Sequence, residues 1–296
     1  MTRKSNYTLL NKETGNLAFK VYTFSDNGSF DHIQRLNYYM LIWIIKGTGI
    51  ATADFSAYDF SEHTLLAFSP YQPFMISTEN ELEGIAISFH PDFFCIHKHH
   101  QEVACNGVLF NNIYDPPMVH VNKEARDKLK VLTEQMKSEI QNAAVAQYEL
   151  LISYLKIFLI TASRLKVDQY PESKTVKEVE DTPFAVQNLK SCIEKHYKSK
   201  HAPSDYADLL AISPKALARI TKKHFNKTLT TLISERIIIE AKRELYLTNK
   251  TVKEIAYELG YNDEYYFSRF FKKNTDVSPT LYRETVGFDR AFEIKE

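Results

Sequence analysis

The chain has 296 residues, of which 44% are hydrophobic and 25% charged, a composition typical of globular proteins that excludes a fibrous or disordered chain. Lys and Arg number 37, as do Asp and Glu, so the formal net charge is zero. The most apolar segment, ELLISYLKIFLITASRL, is interrupted by Lys156 and falls short of the roughly 18–20 uninterrupted apolar residues of a membrane span.

The N-terminus, MTRKSNYTLLNKETGNLAF, lacks the apolar run of a signal peptide. The three cysteines, Cys95, Cys105 and Cys192, form no CxxC pair, and their odd number argues against a secreted disulfide framework. We therefore expect a cytoplasmic protein with reduced thiols and no membrane partner.

Residues 19–90 have the composition of β structure. The stretch YYMLIWIIKGTGIATADF is rich in β-branched and aromatic residues and breaks at KGTG, which is a turn signal. Shorter strand-like runs follow, HTLLAFSP, PFMIS and LEGIAISFH, separated by Pro, Asn or acidic residues. Several short strands at this spacing predict a small barrel or sandwich.

The hydrophobic period changes after the strands. In residues 122–141 apolar side chains recur three to four positions apart and Asn122 can cap the start, which predicts an amphipathic helix. A second helix, at 144–166, is apolar on more than one face. Two interpretations are open: both faces pack within the chain, or the helices at 122–166 form the interface of a homodimer.

Residues 166–183, KVDQYPESKTVKEVEDTP, contain two prolines and mixed charges with little apolar content, so they are predicted to form a linker. We therefore divide the chain into an N-terminal domain at 1–168, a linker at 169–183 and a helical domain at 184–290. Residues 183–296 hold 20 Lys and Arg against 15 Asp and Glu, a charge of +5. The neutral total therefore does not exclude a polyanionic partner.

The helical domain contains an internal repeat. YADLLAISPKALARITKKHFN (206–226) matches IAYELGYNDEYYFSRFFKKNTD (255–276) at an offset of 49 residues in the first helix and 50 in the second. Each copy predicts a short helix, a turn and a second helix ending in basic residues, which is the helix-turn-helix pattern. Ser213 is the predicted cap of the second helix in the first unit, and Asn262 or Asp263 is its counterpart in the second.

Between the two units, residues 229–250 have the pattern of one long amphipathic helix. At 1.5 Å per residue such a helix spans roughly 30 Å, close to the roughly 34 Å between successive major-groove faces of B-DNA. A rigid helix of this length is expected to hold two recognition helices in adjacent major grooves on one side of a duplex.

Residues 184–286 resemble the AraC/XylS family of bacterial transcription regulators, and VKEIAYELGYNDEYYFSRFFKKNTDVSPTLYR (252–283) carries the signature of that family nearly whole. The strand-rich part resembles the companion domain of the family, a cupin-like barrel that often binds an effector or mediates dimerisation. The resemblance implies an α+β chain: an N-terminal cupin-like β-barrel with two helices, then an all-α domain of two helix-turn-helix units joined by a long helix.

The resemblance also implies which side chains meet DNA. Base-contacting positions of the family map onto Lys215, Ala218 and Arg219 in the first unit, and onto Glu264, Tyr265, Ser268 and Arg269 in the second. Arg can bond guanine through two hydrogen bonds, Glu can accept one from cytosine, and Tyr or Ala can pack on the thymine methyl group. Phosphates are the expected contacts of the lysines that follow: Lys222, Lys223, Lys272 and Lys273.

Three positions depart from the pattern of the family. Ala211 stands where the first turn often has glycine, and Asn226 and Asp276 replace glycines that often follow the recognition helices. Because Asn and Asp tolerate left-handed backbone, we expect the fold to be kept.

One segment suggests a different kind of regulator. Residues 89–105 gather side chains that bind zinc or copper(I): Cys95, His97, His99, His100 and Cys105. Their spacing matches no structural zinc motif, and no nearby motif argues for a reactive thiol. A metal- or redox-responsive regulator using the Cys95–Cys105 segment is the alternative function, although no metal site is predicted.

An enzyme is not predicted, and no cofactor is expected. Catalytic cupins need clustered histidine and glutamate ligands, whereas His32 and His63 are isolated in this sequence. The sequence has no Ser/His/Asp spacing of a hydrolase and no glycine-rich phosphate loop.

These patterns together predict a DNA-binding transcription regulator, for which the family resemblance favours an activator over a repressor, with promoter DNA and RNA polymerase as partners. Tyr39 and Trp43 are spaced to share one face of a strand, and an aromatic-walled pocket there is the candidate site for a small-molecule effector. No pattern in the sequence identifies the operator, the target genes or the effector.

Overall fold

The computed structural model describes residues 6–12, 14–25, 28–54, 56–103, 107–142, 144–170 and 184–286. The chain divides into two compact units, one of Met1–Asn112 with Pro116–Lys174 and one of Ile113–Asp115 with Thr175–Glu296. Most of the predicted linker at 169–183 lies outside the described residues, as do residues 287–290 of the predicted helical domain. The predicted domain boundaries therefore stay predictions.

The N-terminal unit contains two antiparallel sheets. Its strands are β1 (Asn6–Leu10), β2 (Leu17–Ser25), β3 (Tyr39–Lys46), β4 (Gly49–Ala53), β5 (Ser56–Phe60), β6 (Thr64–Phe68), β7 (Phe74–Ser77), β8 (Glu83–Phe89) and β9 (Met118–His120). The larger sheet has the order β1-β2-β8-β3-β6-β9 and the smaller one β5-β4-β7. The predicted α+β class is confirmed. The strands β1 and β9, which lie outside the range 19–90 predicted as β structure, are short strands at the edges of the larger sheet.

The helices in the described part of this unit are α1 (His100–Val103), α2 (Lys123–Gln141) and α3 (Gln147–Gln169). Asn122 caps α2 as predicted, because its Oδ1 accepts a hydrogen bond from the Ala125 amide at 2.9 Å. The third helix begins three residues later than the predicted 144, after Ala146, whose left-handed backbone (φ 60°) precedes the first turn. No described helix has the length and apolar character needed to cross a membrane.

The sequence of strand β3 is a continuous apolar run because both faces of the strand are buried. Successive side chains of a strand point to opposite faces. Tyr39, Leu41 and Trp43 belong to a core that includes residues of α2 and α3. Met40 and Ile42 belong to a second core, which includes residues of the smaller sheet. The larger sheet is therefore covered on both faces, with the smaller sheet on one and the helices on the other.

The C-terminal unit is helical. Its described helices are α4 (Phe184–His196), α5 (Pro203–Leu210), α6 (Pro214–Phe225), α7 (Leu229–Leu247), α8 (Val252–Glu258), α9 (Glu264–Thr275) and α10 (Pro279–Val286). The predicted pair of helix-turn-helix units is confirmed as α5–α6 and α8–α9, with α7 between them. Helix α7 has 19 residues, so it is about 28 Å long.

Ile113–Asp115 belong to the C-terminal unit, although they fall within the range predicted for the N-terminal domain. The Tyr114 hydroxyl donates a hydrogen bond to Oε1 of Glu194 on α4 at 2.9 Å. The Tyr114 ring lies 5.7 Å from the ring of Phe225, the last residue of α6. These contacts attach the segment to α4 and to the end of α6.

Candidate nucleic-acid interface

The turns of the two helix-turn-helix units have matching backbone hydrogen bonds. The Ile212 amide donates to the Ala207 carbonyl at 3.0 Å, and the Tyr261 amide donates to the Ala256 carbonyl at 2.9 Å. Both alanines are buried, with 2% and 0% of their surface exposed. The small side chain lets the first helix of each unit approach its neighbour, as the repeat predicts.

Side chains cap the second helix of each unit. Ser213 Oγ accepts a hydrogen bond from the Ala216 amide at 3.3 Å at the start of α6. At the start of α9, the carboxylate of Asp263 accepts one from Tyr265 at 2.9 Å and one from Tyr266 at 3.2 Å. Both predicted caps are therefore present. Of the two candidates in the second unit, Asn262 and Asp263, the cap is Asp263.

The predicted DNA-contacting side chains lie on the solvent side of α6 and α9. Leu217 and Phe267 form the opposite, buried side of these helices, at 1% and 0% exposure. Glu264 and Ser268 are partly exposed. The exposed members of the predicted set are Lys215, Ala218, Arg219, Lys222, Lys223, Tyr265, Arg269, Lys272 and Lys273. The fold therefore gathers them into two exposed faces, one on each unit.

The positive charges on these two faces are not paired with carboxylates. Within the described ranges, no carboxylate forms an ion pair with any of the seven cations Lys215, Arg219, Lys222, Lys223, Arg269, Lys272 and Lys273. Their charge is therefore available to an external anion.

The two arginines of the helix between the units are paired with carboxylates instead. Arg236 on α7 has its Nε 2.8 Å from Glu194 and its Nη1 3.2 Å from Glu240. Arg243 Nη1 lies 2.9 Å from Glu240. Burial acts to raise the pKa of Glu240, but the positive charges of Arg236 and Arg243 outweigh burial and hold that pKa below its ordinary value. The neighbouring Lys227 forms a buried ion pair with Glu235 at 2.7 Å.

Sequence reasoning missed an exposed aromatic residue of helix α9. Tyr266 is 57% exposed beside Tyr265, which is 70% exposed. Tyr266 precedes Arg269 by three positions, so the helical period alone places the two on one face. Counting that period would have added Tyr266 to the predicted set.

Comparison with known proteins identifies the family. A family model described as a helix-turn-helix domain matches residues 206–285. An HTH-type transcriptional regulator encoded in the cgkA 5′ region of Pseudoalteromonas carrageenovora is 34% identical over 127 residues, which are 42% of this chain and 75% of that protein. The chain belongs to the AraC/XylS family of transcription regulators.

This AraC/XylS-family chain also resembles other transcription regulators. The HTH-type transcriptional activator Btr of Bacillus subtilis is 29% identical over 248 residues, covering 81% of this chain and 43% of Btr. The chain spans about half the length of the curated relatives it matches first. Their names describe transcription regulators and not enzymes, in agreement with the prediction that the chain is not an enzyme.

A solved structure of ToxT from Vibrio cholerae O395 is 16% identical and has a TM-score of 0.40, covering 91% of this chain and 98% of that one.

The predicted effector residues of this regulator lie between the larger sheet and the helices. Tyr39 and Trp43 share one face of β3, as predicted, and that face packs toward α2 and α3 rather than toward the smaller sheet. The Tyr39 ring stacks on Phe89 at 5.0 Å. The indole Nε1 of Trp43 is buried and has no hydrogen-bond partner among the described residues.

The histidine-rich segment is not arranged as a metal site in the part of the chain that the structure describes. His99 contacts Glu102 at 2.9 Å, and its ring stacks on Phe94. Cys95 is buried and its Sγ accepts a hydrogen bond from the Lys98 amide at 3.5 Å. Cys105 lies outside the described residues. No observation at this segment favours the metal- or redox-responsive alternative.

Proposed function

We propose that this protein is a sequence-specific DNA-binding activator that places α6 and α9 in adjacent major grooves of a promoter. The observation that carries the proposal is the pair of exposed faces whose Lys and Arg side chains form no ion pairs with carboxylates of the described residues, while Arg236 and Arg243 of α7 are already paired. A length of about 28 Å for α7 is close to one helical repeat of B-DNA, roughly 34 Å.

The roles of individual residues follow from their chemistry. Arg219 and Arg269 can bond guanine bidentately, and Glu264 can accept from cytosine N4. Tyr265 and Ala218 can pack on thymine methyl groups. The lysines beyond them are proposed to hold phosphates, so they contribute affinity without selecting a sequence.

The test is selection of DNA from a random library by the purified chain, followed by footprinting of the selected site. We expect two short conserved segments about one helical turn apart, protected on the same side of the duplex. Protection of a single groove width, or failure to prefer any duplex, would contradict the proposal.

A homodimer through the helices at 122–166 is part of the proposal. The exposed sides of α2 and α3 carry Val131, Leu150 and Ile157, at 57%, 38% and 41% exposure. Replacing Ile157 with Asp is expected to shift the sedimentation coefficient toward the monomer, whereas the conservative change Thr161→Ala, at a partly exposed position one turn further along α3, is the control. A wild-type chain that sediments as a monomer at every concentration would rule the dimer out.

Control by a small molecule at Tyr39 and Trp43 is favoured by the buried Trp43 indole N–H, because a ligand oxygen at that point would accept the unmade hydrogen bond. Trp43 is the one tryptophan of the chain, so its fluorescence reports this position directly. A metabolite panel should contain a compound that both raises the melting temperature and changes Trp43 emission. If the panel contains no such compound, the result favours a dimerisation domain without an effector.

As an activator the protein would act in the cytoplasm and contact RNA polymerase.

A further inference from the structure

The turn of the second helix-turn-helix unit lies against the chain that precedes the first unit. Gly260, in the turn between α8 and α9, is so close to the Lys198 carbonyl that a Cβ atom at Gly260 would be 2.1 Å from that oxygen. The rings of His201 and Tyr261 are centred 4.8 Å apart. The second helix-turn-helix unit therefore contacts the segment that leads into the first one, in addition to being joined to it through α7.

Each side of this contact is held by a helix of one helix-turn-helix unit. On the first side, the hydroxyl of Tyr206, a fully buried residue of α5, donates to the Lys200 carbonyl at 3.0 Å. On the second side, the ring of Tyr261 lies 5.3 Å from Phe267 and 5.4 Å from Phe270, both on the recognition helix α9. The contact thus runs from α5 of the first unit to the recognition helix of the second.

We infer that the His201–Tyr261 contact sets the relative orientation of the two recognition helices, so that His201 and Gly260 are positioning residues for the spacing between the two DNA segments that the protein reads. Packing on α7 sets the distance between the two helix-turn-helix units, and the His201–Tyr261 contact further restrains rotation of the second unit about that helix. This inference rests on the proposed function, because spacing has meaning only if both units meet DNA.

The geometry of DNA makes the inference testable. Inserting one base pair between the two segments moves one of them by about 3.4 Å and turns it by about 35° around the duplex. A rigid pair of units cannot follow that rotation without losing contacts, whereas a pair joined only through α7 adapts more easily. Discrimination between spacings therefore measures the rigidity of the contact.

The experiment uses the full chain and a DNA site that the wild type has selected from a random library. Affinities are compared for that site, for the same site with one base pair inserted or deleted between its segments, and for a duplex that keeps one segment only. The wild type should prefer the selected spacing by about tenfold or more. His201→Ala should reduce that preference to about threefold or less, with the one-segment affinity changed by less than about twofold.

Two further variants separate positioning from folding. His201→Phe keeps a ring against Tyr261. Because His201 Nε2 has no hydrogen-bond partner among the described residues, the phenylalanine loses no hydrogen bond there, and the variant should keep the wild-type preference for the selected spacing. Ser204→Ala, an exposed change close by on α5, should leave the preference unaltered. If circular dichroism shows that His201→Ala is unfolded, Gly260→Ala supplies the same test, because its methyl group pushes the turn away from the Lys198 carbonyl.

The outcomes are distinct. A folded variant that keeps the wild-type spacing preference overturns the inference and leaves the proposed function standing. A wild type that selects a single segment overturns both, since no spacing is then read.

Discussion

Ala211 and Gly260 occupy equivalent places after the first helix of their helix-turn-helix units, and both have left-handed backbone, with φ of 52° and 80°. The two sites differ in their surroundings. Ala211 is exposed to solvent, whereas a side chain at Gly260 would collide with the Lys198 carbonyl. Packing therefore requires glycine only at position 260. At position 211 the alanine has the energetic cost of left-handed backbone.

We expect Ala211→Gly to stabilise the C-terminal unit. Left-handed backbone costs an L-residue about 1–2 kcal/mol, and the greater flexibility of glycine in the unfolded chain offsets about 0.5–1 kcal/mol of that gain. The net increase in the free energy of unfolding should be about 0.5–1 kcal/mol. Urea unfolding followed by far-ultraviolet circular dichroism measures it. Gly260→Ala is the opposite case and should destabilise; equal effects at the two sites would contradict the explanation.

The caps of the recognition helices should contribute measurably to stability. Asp263→Ala removes the acceptor of two amide hydrogen bonds at the start of α9, and we expect a loss of about 1 kcal/mol. Asp263→Asn keeps an acceptor oxygen and should lose no more than a few tenths of a kcal/mol. Hydrogen exchange at the Tyr265 and Tyr266 amides should quicken in the alanine variant alone. Unchanged exchange there would show that the cap contributes nothing.

Arginine and lysine variants should affect DNA binding differently. Arg269→Ala is expected to cost about 1–3 kcal/mol on the selected site and little on unrelated DNA. Lys272→Ala should weaken all sequences alike and lower the slope of the salt dependence by about one. Arg243→Ala is the matched control, because that cation is already paired with Glu240. If Arg269→Ala binds its site as the wild type does, Arg269 is not a base-contacting residue.

The ion pairs of α7 predict a dependence of stability on pH. The pKa of Glu240 is lowered in the folded protein, so its charge stabilises the fold above its unfolded pKa, near 4.5. That contribution is lost as the pH falls through the lower folded value. Arg236→Met removes the charge that contributes most to lowering the pKa of Glu240, and it removes an ion-pair partner of both Glu194 and Glu240. We expect it to cost about 3 kcal/mol at neutral pH and to flatten the loss of stability on acidification.

The control for this variant is Arg243→Met, whose side chain is 46% exposed, and which should cost no more than about 1 kcal/mol. Circular dichroism follows the helices, while Trp43 fluorescence follows the N-terminal unit and should keep its unfolding transition in both variants. A pH dependence that is the same in Arg236→Met and in the wild type would show that Glu240 does not carry it.

The sequence by itself determined the elements whose signals are local. Helical period and the cap at Ser213 act within one or two turns of the chain, and the 49- to 50-residue repeat showed the same local pattern twice. These signals were enough to predict both helix-turn-helix units and the helix between them. The buried run of β3 was equally clear. The short edge strands were not, since strands such as β1 and β9 are defined by the partner that pairs with them rather than by their own composition.

Only the tertiary structure decided which charges are available and which faces are covered. A net charge of +5 did not reveal that Arg236 and Lys227 are paired with acidic residues while Arg219 and Arg269 are not. Likewise, the spacing of Tyr39 and Trp43 gave a shared face but not the helices that cover it. The contact between His201 and Tyr261 joins residues 60 positions apart in the chain. Such relationships depend on which segments the folded chain brings together, and no local pattern records them.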